Sequence, residues 1–180
     1  MFPDGTDIVC LSPHETNEWE PSVDNNGMVV YTRWDYTDRG FNQAHHAWIT
    51  YPDGRDPREL NGNTRLNQRV APHMEQSVRA IPGSRKYVAV AVGHHTPSVG
   101  SLVIIDPSVP DDDLMSQIKR LTPDVLLPEA EKMIRWPIRP SGCYGTPWPL
   151  SEKYFLCVYD GDGNSQYSHL IDYQRRKYAI

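Results

Sequence analysis

One short pattern occurs three times in this chain of 180 residues, and it restricts the fold more than any other feature. Residues 21–31 (PSVDNNGMVVY), 80–90 (AIPGSRKYVAV) and 147–157 (PWPLSEKYFLC) align without gaps and place Met28, Tyr87 and Tyr154 at one position. Each segment reads as a short strand, a tight polar turn and a β-rich strand. The unit recurs roughly every 60 residues, the spacing of a repeat architecture with extended loops.

A second β-type run ending near an acid follows each unit, in 48–53 (WITYPD), 102–106 (LVIID) and 170–172 (LID). An outer run then follows the first two, at 57–60 (PREL) and 117–122 (QIKRLT). Four antiparallel strands per repeat make a propeller blade. The predicted fold is therefore all-β, an open arc of about three four-stranded blades with little helix. Its expected segments are 18–62, 75–123 and an incomplete 143–180, with 1–12 as the outer strand of a preceding blade. That last expectation rests on residues 2–5 (FPDG), which match 51–54 (YPDG) and lead into an apolar run at 8–11.

Helical spacing of Leu114, Ile118 and Leu121 competes with the repeat over 111–122, and the repeat is preferred. Residues 128–133 (PEAEKM) suit a helical turn or two, and 134–145, rich in Pro and Arg, reads as loop. Alternation along the second strands predicts that Val29, Tyr31, Val88, Val90, Phe155 and Cys157 are buried between blades.

Composition narrows the function. A net charge of -5 leaves no excess of Lys and Arg to neutralise phosphates, so nucleic acid is not expected as a partner. The longest apolar run, 87–92, is far below the roughly 20 residues of a membrane span. Cys10, Cys143 and Cys157 show no CxxC spacing and read as thiols in strands or loops.

The wording of these runs is similar to known propellers. A turn, a β-run, a run ending Pro-Asp-Gly and an Arg-Leu outer strand resemble the TolB-like and WD40-like repeats of periplasmic proteins. The strings 14–23 (HETNEWEPSV), 30–36 (VYTRWDY), 79–83 (RAIPG), 100–103 (GSLV) and 144–151 (YGTPWPLS) resemble the propeller region of proteins related to the hydrazine synthase alpha subunit. The resemblance implies an internal piece of a larger, exported bacterial protein, periplasmic or otherwise outside the cytoplasm. It does not carry covalent haem, because neither 143–146 (CYGT) nor 157–160 (CVYD) is CxxCH.

Propeller ligands gather where loops between second and third strands meet the loops entering each blade. His45, His46, His94 and His95 fall in such loops, with His73 between them. Converging imidazoles suit a transition metal or acid/base work. Adjacent residues of a strand point opposite ways, however, and polar loop histidines are the plainer account. Arg33, Trp34 and Asp35 head a loop, 33–40 (RWDYTDRG), that suits a protein, glycan or small-molecule ligand, or a structural loop whose arginine meets a nearby acid. Asp160, Asp162 and Asn164 place oxygens at alternate positions, as calcium loops do, and a glycine-rich turn explains them equally. No cofactor is certain: a transition metal and calcium are the candidates. The expected function is a non-catalytic binding or scaffold module, completed by the rest of a larger propeller or by a second copy of the chain. The alternative is part of a metal-dependent or redox enzyme whose catalytic residues lie partly elsewhere.

Overall fold

The computed structural model describes residues 4–14, 16–34, 45–62, 72–93, 98–110, 116–127, 142–161 and 178–179. These residues form an all-β, propeller-like arc with no helix among them. The first sheet holds β1 (Asn17–Val23), β2 (Val29–Trp34), β3 (His45–Thr50) and β4 (Arg58–Glu59). The second holds β5 (Met74–Ala80), β6 (Tyr87–Val92), β7 (Val99–Ile105) and β8 (Ile118–Arg120). The third holds β9 (Cys143–Pro149), β10 (Phe155–Asp160) and β11 (Tyr178–Ala179).

Within each sheet sequential strands pair antiparallel, with β4 and β8 on the outer edges of β3 and β7. The sheets run into one another through His45 beside Met74, and through Val99 and Gly100 beside Gly145 and Tyr144. Gly145 keeps that crossing close, since a Cβ there would meet Val99 Cγ1 at 3.0 Å and the Ser98 carbonyl oxygen at 3.1 Å, tighter than most Cβ contacts.

The opening hairpin of each sheet shares one backbone design. The turn is closed by Asp24 N–H to the Met28 carbonyl, Ile81 N–H to that of Lys86, and Leu150 N–H to that of Tyr154, at 2.9 Å each. Four residues before each closing donor the first strand carries a left-handed residue, Glu20 (φ 52°), Ser77 (φ 52°) and Thr146 (φ 42°). All three lie where the ladder skips register, which marks a bulge repeated in every sheet.

These bonds correct the gapless alignment. The middle turn is one residue longer, so Met28, Lys86 and Tyr154 are equivalent, and Tyr87 opens β6 as Val29 opens β2 and Phe155 opens β10. The extra residue reverses the expected facing of the middle strand. Tyr87, Ala89 and Ala91 join Val30, Ala47 and Ile49 in one core, between the first and second sheets. Val88, Val90 and Val92 point the other way, into cores to which Phe155 and Cys157 add. A strand with period 2 exchanges its faces on a one-residue slip. Here both faces are covered, so Val88 and Val90 are buried as expected, but against the opposite neighbour.

The acid after the third strand repeats in the first two sheets, and Asp4, ahead of β1, makes the same turn. Thr6 N–H donates to Asp4 Oδ1 at 3.0 Å, Arg55 N–H to Asp53 Oδ1 at 3.2 Å and Ser108 N–H to Asp106 Oδ1 at 3.1 Å. Such Asx turns reverse the chain toward an outer strand. Donors at the turn hold all three carboxyls below the usual range, chiefly the Thr6 and Arg55 backbone amides for Asp4 and Asp53 and the Ser108 hydroxyl for Asp106.

One expectation is revised and one is met. Residues 143–145 are strand, not loop, because Cys143, Tyr144 and Gly145 pair with Asp160, Tyr159 and Val158. Residues 118–120 form the outer strand that the repeat required. The third strand expected at 170–172 and the helical turn at 128–133 lie outside the described residues, and the strand pairing with β10 there is β11.

Candidate functional site

The end of the arc where β2 finishes and β3 and β5 begin collects the polar and aromatic side chains. Expected in loops, Arg33, Trp34, His45 and His46 are strand residues: Trp34 pairs with His45 and Arg33 with His46. Cross-strand pairing extends both strands to this end, so the side chains are held by the sheet rather than by a loop.

The neighbouring histidines diverge. His45 stacks on Trp34 with ring centroids 4.4 Å apart, and Trp19 lies 6.3 Å from His45 and 6.5 Å from Trp34. His46 faces β5 instead. Its Nδ1 is 2.6 Å from Glu75 Oε2, and both side chains are wholly inaccessible to solvent. Asn61 Nδ2 donates to the other carboxylate oxygen at 3.3 Å. The Glu75 backbone carbonyl accepts from Thr32 Oγ1 at 2.7 Å. Arg33 places its guanidinium 4.2 Å from the centre of the Trp48 ring.

A carboxylate at Nδ1 fixes the orientation of an imidazole and leaves Nε2 on the opposite side of the ring, as in acid/base and metal-ligating histidines. In this protein His46 Nε2 is buried and has no hydrogen-bond partner among the described residues. Full burial closes that nitrogen to any substrate in bulk solvent, so the pair serves here as a polar bond between the first and second sheets. Glu75 was missed from the sequence, because it sits in no motif and meets His46 across 29 residues.

The remaining candidates are placed as follows. His73 is buried at the same end, immediately before Met74. Asp160 is the buried last residue of β10, paired in register with Cys143 and Tyr178, so a strand rather than a turn positions it. Asp35, His94, His95, Asp162 and Asn164 lie outside the described residues. Among the described residues no three His, Cys, Asp or Glu side chains come together as metal ligands would.

Hydrogen bonds between turns join the first sheet to the second. Ser77 N–H and Oγ both donate to Glu20 Oε2, at 2.5 and 2.9 Å, from one bulge to the next. Asn25 Nδ2 donates to the Ile81 and Ser84 carbonyls at 2.8 and 3.0 Å, and Tyr87 OH donates to Asp24 Oδ2 at 3.0 Å. Burial first, then the bond to Asp24, raises the Tyr87 phenol well above its ordinary value.

This architecture defines a class, the propeller-like all-β arc. Among solved structures it is similar to hydrazine synthase of Kuenenia stuttgartiensis, with a TM-score of 0.55 and 19% identity over 79% of this chain. The match spans 16% of the hydrazine synthase chain, and identity at this level shows a shared fold. No family model and no curated protein sequence matches the chain.

Proposed function

We propose that this chain is a non-catalytic binding or scaffold module, one arc of a larger TolB-like propeller in an exported bacterial protein. Its blades comprise residues 18–62, 75–123 and 143–180, and residues 1–12 supply an outer strand to a further sheet. The observation that carries this reading is the apolar surface left open at the two ends of the arc. On the third sheet Leu156 is 52% exposed, and at the first sheet Ile8 and Val9 are 79% and 60% exposed. Exposed apolar surface gathered at sheet ends is surface for a partner.

The half-buried Trp19 and Trp34 rings at one end of the first sheet are the proposed ligand contact, with the buried His45 ring stacked behind Trp34. Stacked aromatic faces suit a glycan or a planar peptide side chain. Tryptophan emission read against oligosaccharide and peptide arrays tests this contact. Elemental analysis of untagged protein tests the non-catalytic reading, with His45→Ala and His46→Ala as comparisons. The expected result is no stoichiometric metal in any preparation; a metal lost in either variant would replace the module with a metal-dependent enzyme.

A further inference from the structure

The two places where hairpin turns of neighbouring sheets meet are built alike and filled differently. At the second junction the turn of the third sheet sends Glu152 back to the turn of the second, where its carboxylate accepts from Ser84 Oγ at 2.6 Å and Lys86 Nζ at 2.9 Å. Counted from Ile81 and Leu150, whose amides close the two turns, the equivalent of Glu152 is Gly83. Gly83 brings no side chain to the first junction, and a Cβ on it would meet nothing within 4 Å. Next to it, Ser84 and Arg85 help to line a cleft of about 300 Å³ between the first and second sheets.

The walls of the cleft are of two kinds. Leu60, Ala80 and Pro107 give it an apolar side, and Asp24, Asn26, Arg85 and Tyr87 a polar one. Asp24 is already saturated. Its Oδ1 accepts from the Asn26 and Met28 backbone amides at 2.8 Å each, and its Oδ2 accepts from Tyr87 OH at 3.0 Å. Asn25 commits its amide donors to the Ile81 and Ser84 carbonyls. Arg85 is different: it is exposed, and among the described residues its guanidinium makes no hydrogen bond, ion pair or ring contact.

Arg85 owes its place to the longer middle turn. Gly27 N–H donates to the Asp24 carbonyl and Ser84 N–H to that of Ile81, at 3.1 Å each, so Gly27 matches Ser84 while Met28 matches Lys86. Arg85 is therefore the inserted residue, with no counterpart in the first or third turn. The insertion that reverses the facing of β6 also sets a cation on the rim of this cleft.

We propose that the cleft binds a small organic carboxylate, with Arg85 holding the carboxylate and the Leu60, Ala80 and Pro107 side taking a short apolar chain. A guanidinium presents parallel N–H donors that match the two oxygens of one carboxylate, and the Asn26 side chain adds an amide donor beside it. The single acid of the cleft is occupied by three donors, so it neither neutralises Arg85 nor offers an ammonium ligand a free partner. A volume of this size is at the small end of ligand sites, which fits a short chain. The first junction thus receives from solution the charge that Glu152 supplies within the chain at the second. The site is at the turn end of the sheets, opposite the aromatic contact where β2 finishes, and stands independently of it.

Titration calorimetry of the whole chain with hexanoate, with an acetylated dipeptide ending in leucine and with hexylamine tests this. The variants are Arg85→Gln and, as a control, Arg55→Gln, an exposed arginine that bonds to Asp53 and does not line the cleft. Wild type and Arg55→Gln are expected to bind one carboxylate per chain and no hexylamine. Arg85→Gln should bind about tenfold or more weakly, through loss of a charge-assisted bond. The tighter of hexanoate and the dipeptide tells whether the carboxylate belongs to a free acid or to a chain terminus. In amide NMR spectra the shifts on binding should centre on Asn26, Leu60 and Arg85.

Failure of both carboxylates to bind at millimolar concentration, undiminished binding by Arg85→Gln, or hexylamine binding as tightly as hexanoate overturns the site. Carboxylate binding whose shifts centre on Trp19 and Trp34 also overturns it, while leaving the aromatic contact standing.

Discussion

The two junctions of the arc have one architecture and different chemistry. Between the first and second sheets, an apolar core of Val30, Ala47, Ile49, Val78, Tyr87 and their neighbours is bordered by buried polar bonds, His46 to Glu75, Thr32 to the Glu75 carbonyl and Tyr87 to Asp24, and by the part-buried bond of Ser77 to Glu20. Between the second and third sheets, Val88, Val90, Val92, Leu102 and Ile104 meet Phe155 and Cys157. The polar contacts there are at the surface, with Lys86 Nζ and Ser84 Oγ on Glu152 at 2.9 and 2.6 Å and Arg79 over the Trp148 ring. Apolar packing drives both associations, but it tolerates slips. Directional bonds penalise them, so the first junction is held to one register and the second is held by burial.

The largest effect that separates the two should come from the buried His46–Glu75 bond. His46→Ala leaves the Glu75 carboxylate buried without its main partner and is expected to cost about 3–5 kcal/mol. Urea unfolding of the single variants and of His46→Leu with Glu75→Leu measures this. Recovery of much of the stability in the double variant would show that the pair specifies register more than it adds stability. At the second junction, Val90→Ala removes fully buried methyl groups and should cost about 2 kcal/mol by the same measurement. No partner is stranded there, so no second substitution should rescue it.

Tyr87→Phe removes the hydroxyl bonded to Asp24 and should cost about 1–2 kcal/mol at neutral pH. The same hydroxyl gives the first junction a pH signature. Its folded pKa is raised above the ordinary phenol value of about 10, chiefly by burial. The unfolded chain therefore loses this proton first on alkalinisation, and the stabilisation, complete below about pH 10, declines as the pH rises beyond it toward the folded value. Stability curves of wild type and Tyr87→Phe should converge over that interval. The smallest effect is expected from Glu152→Gln, because Lys86 and Glu152 form an exposed pair whose attraction salt screens. Added salt should abolish the difference between that variant and wild type.

Much of the fold was legible in the sequence because its signals are local. A polar turn between β-rich runs, an Asp two residues before a hydrogen-bonding partner, and an Arg-Leu outer run each depend on a few adjacent residues. They recur as Asp4, Asp53 and Asp106, and as Leu60 and Leu121. The candidate site was legible only in part. His45 and His46 were singled out by their position between the second and third strands, and they do lie at the end where β3 meets β5. Their surroundings were not foreseeable, since Glu75, the partner of His46, comes from another strand 29 residues away.

Composition and repeat thus determined the all-β class, the order of strands and the acidic turns, for these follow from backbone preferences acting over a handful of residues. Only the tertiary structure decided which way the middle strand faces and that Glu75 receives His46. A turn one residue longer inverts a strand of period 2, and a buried carboxylate finds its partner through packing between sheets, neither of which adjacent residues record.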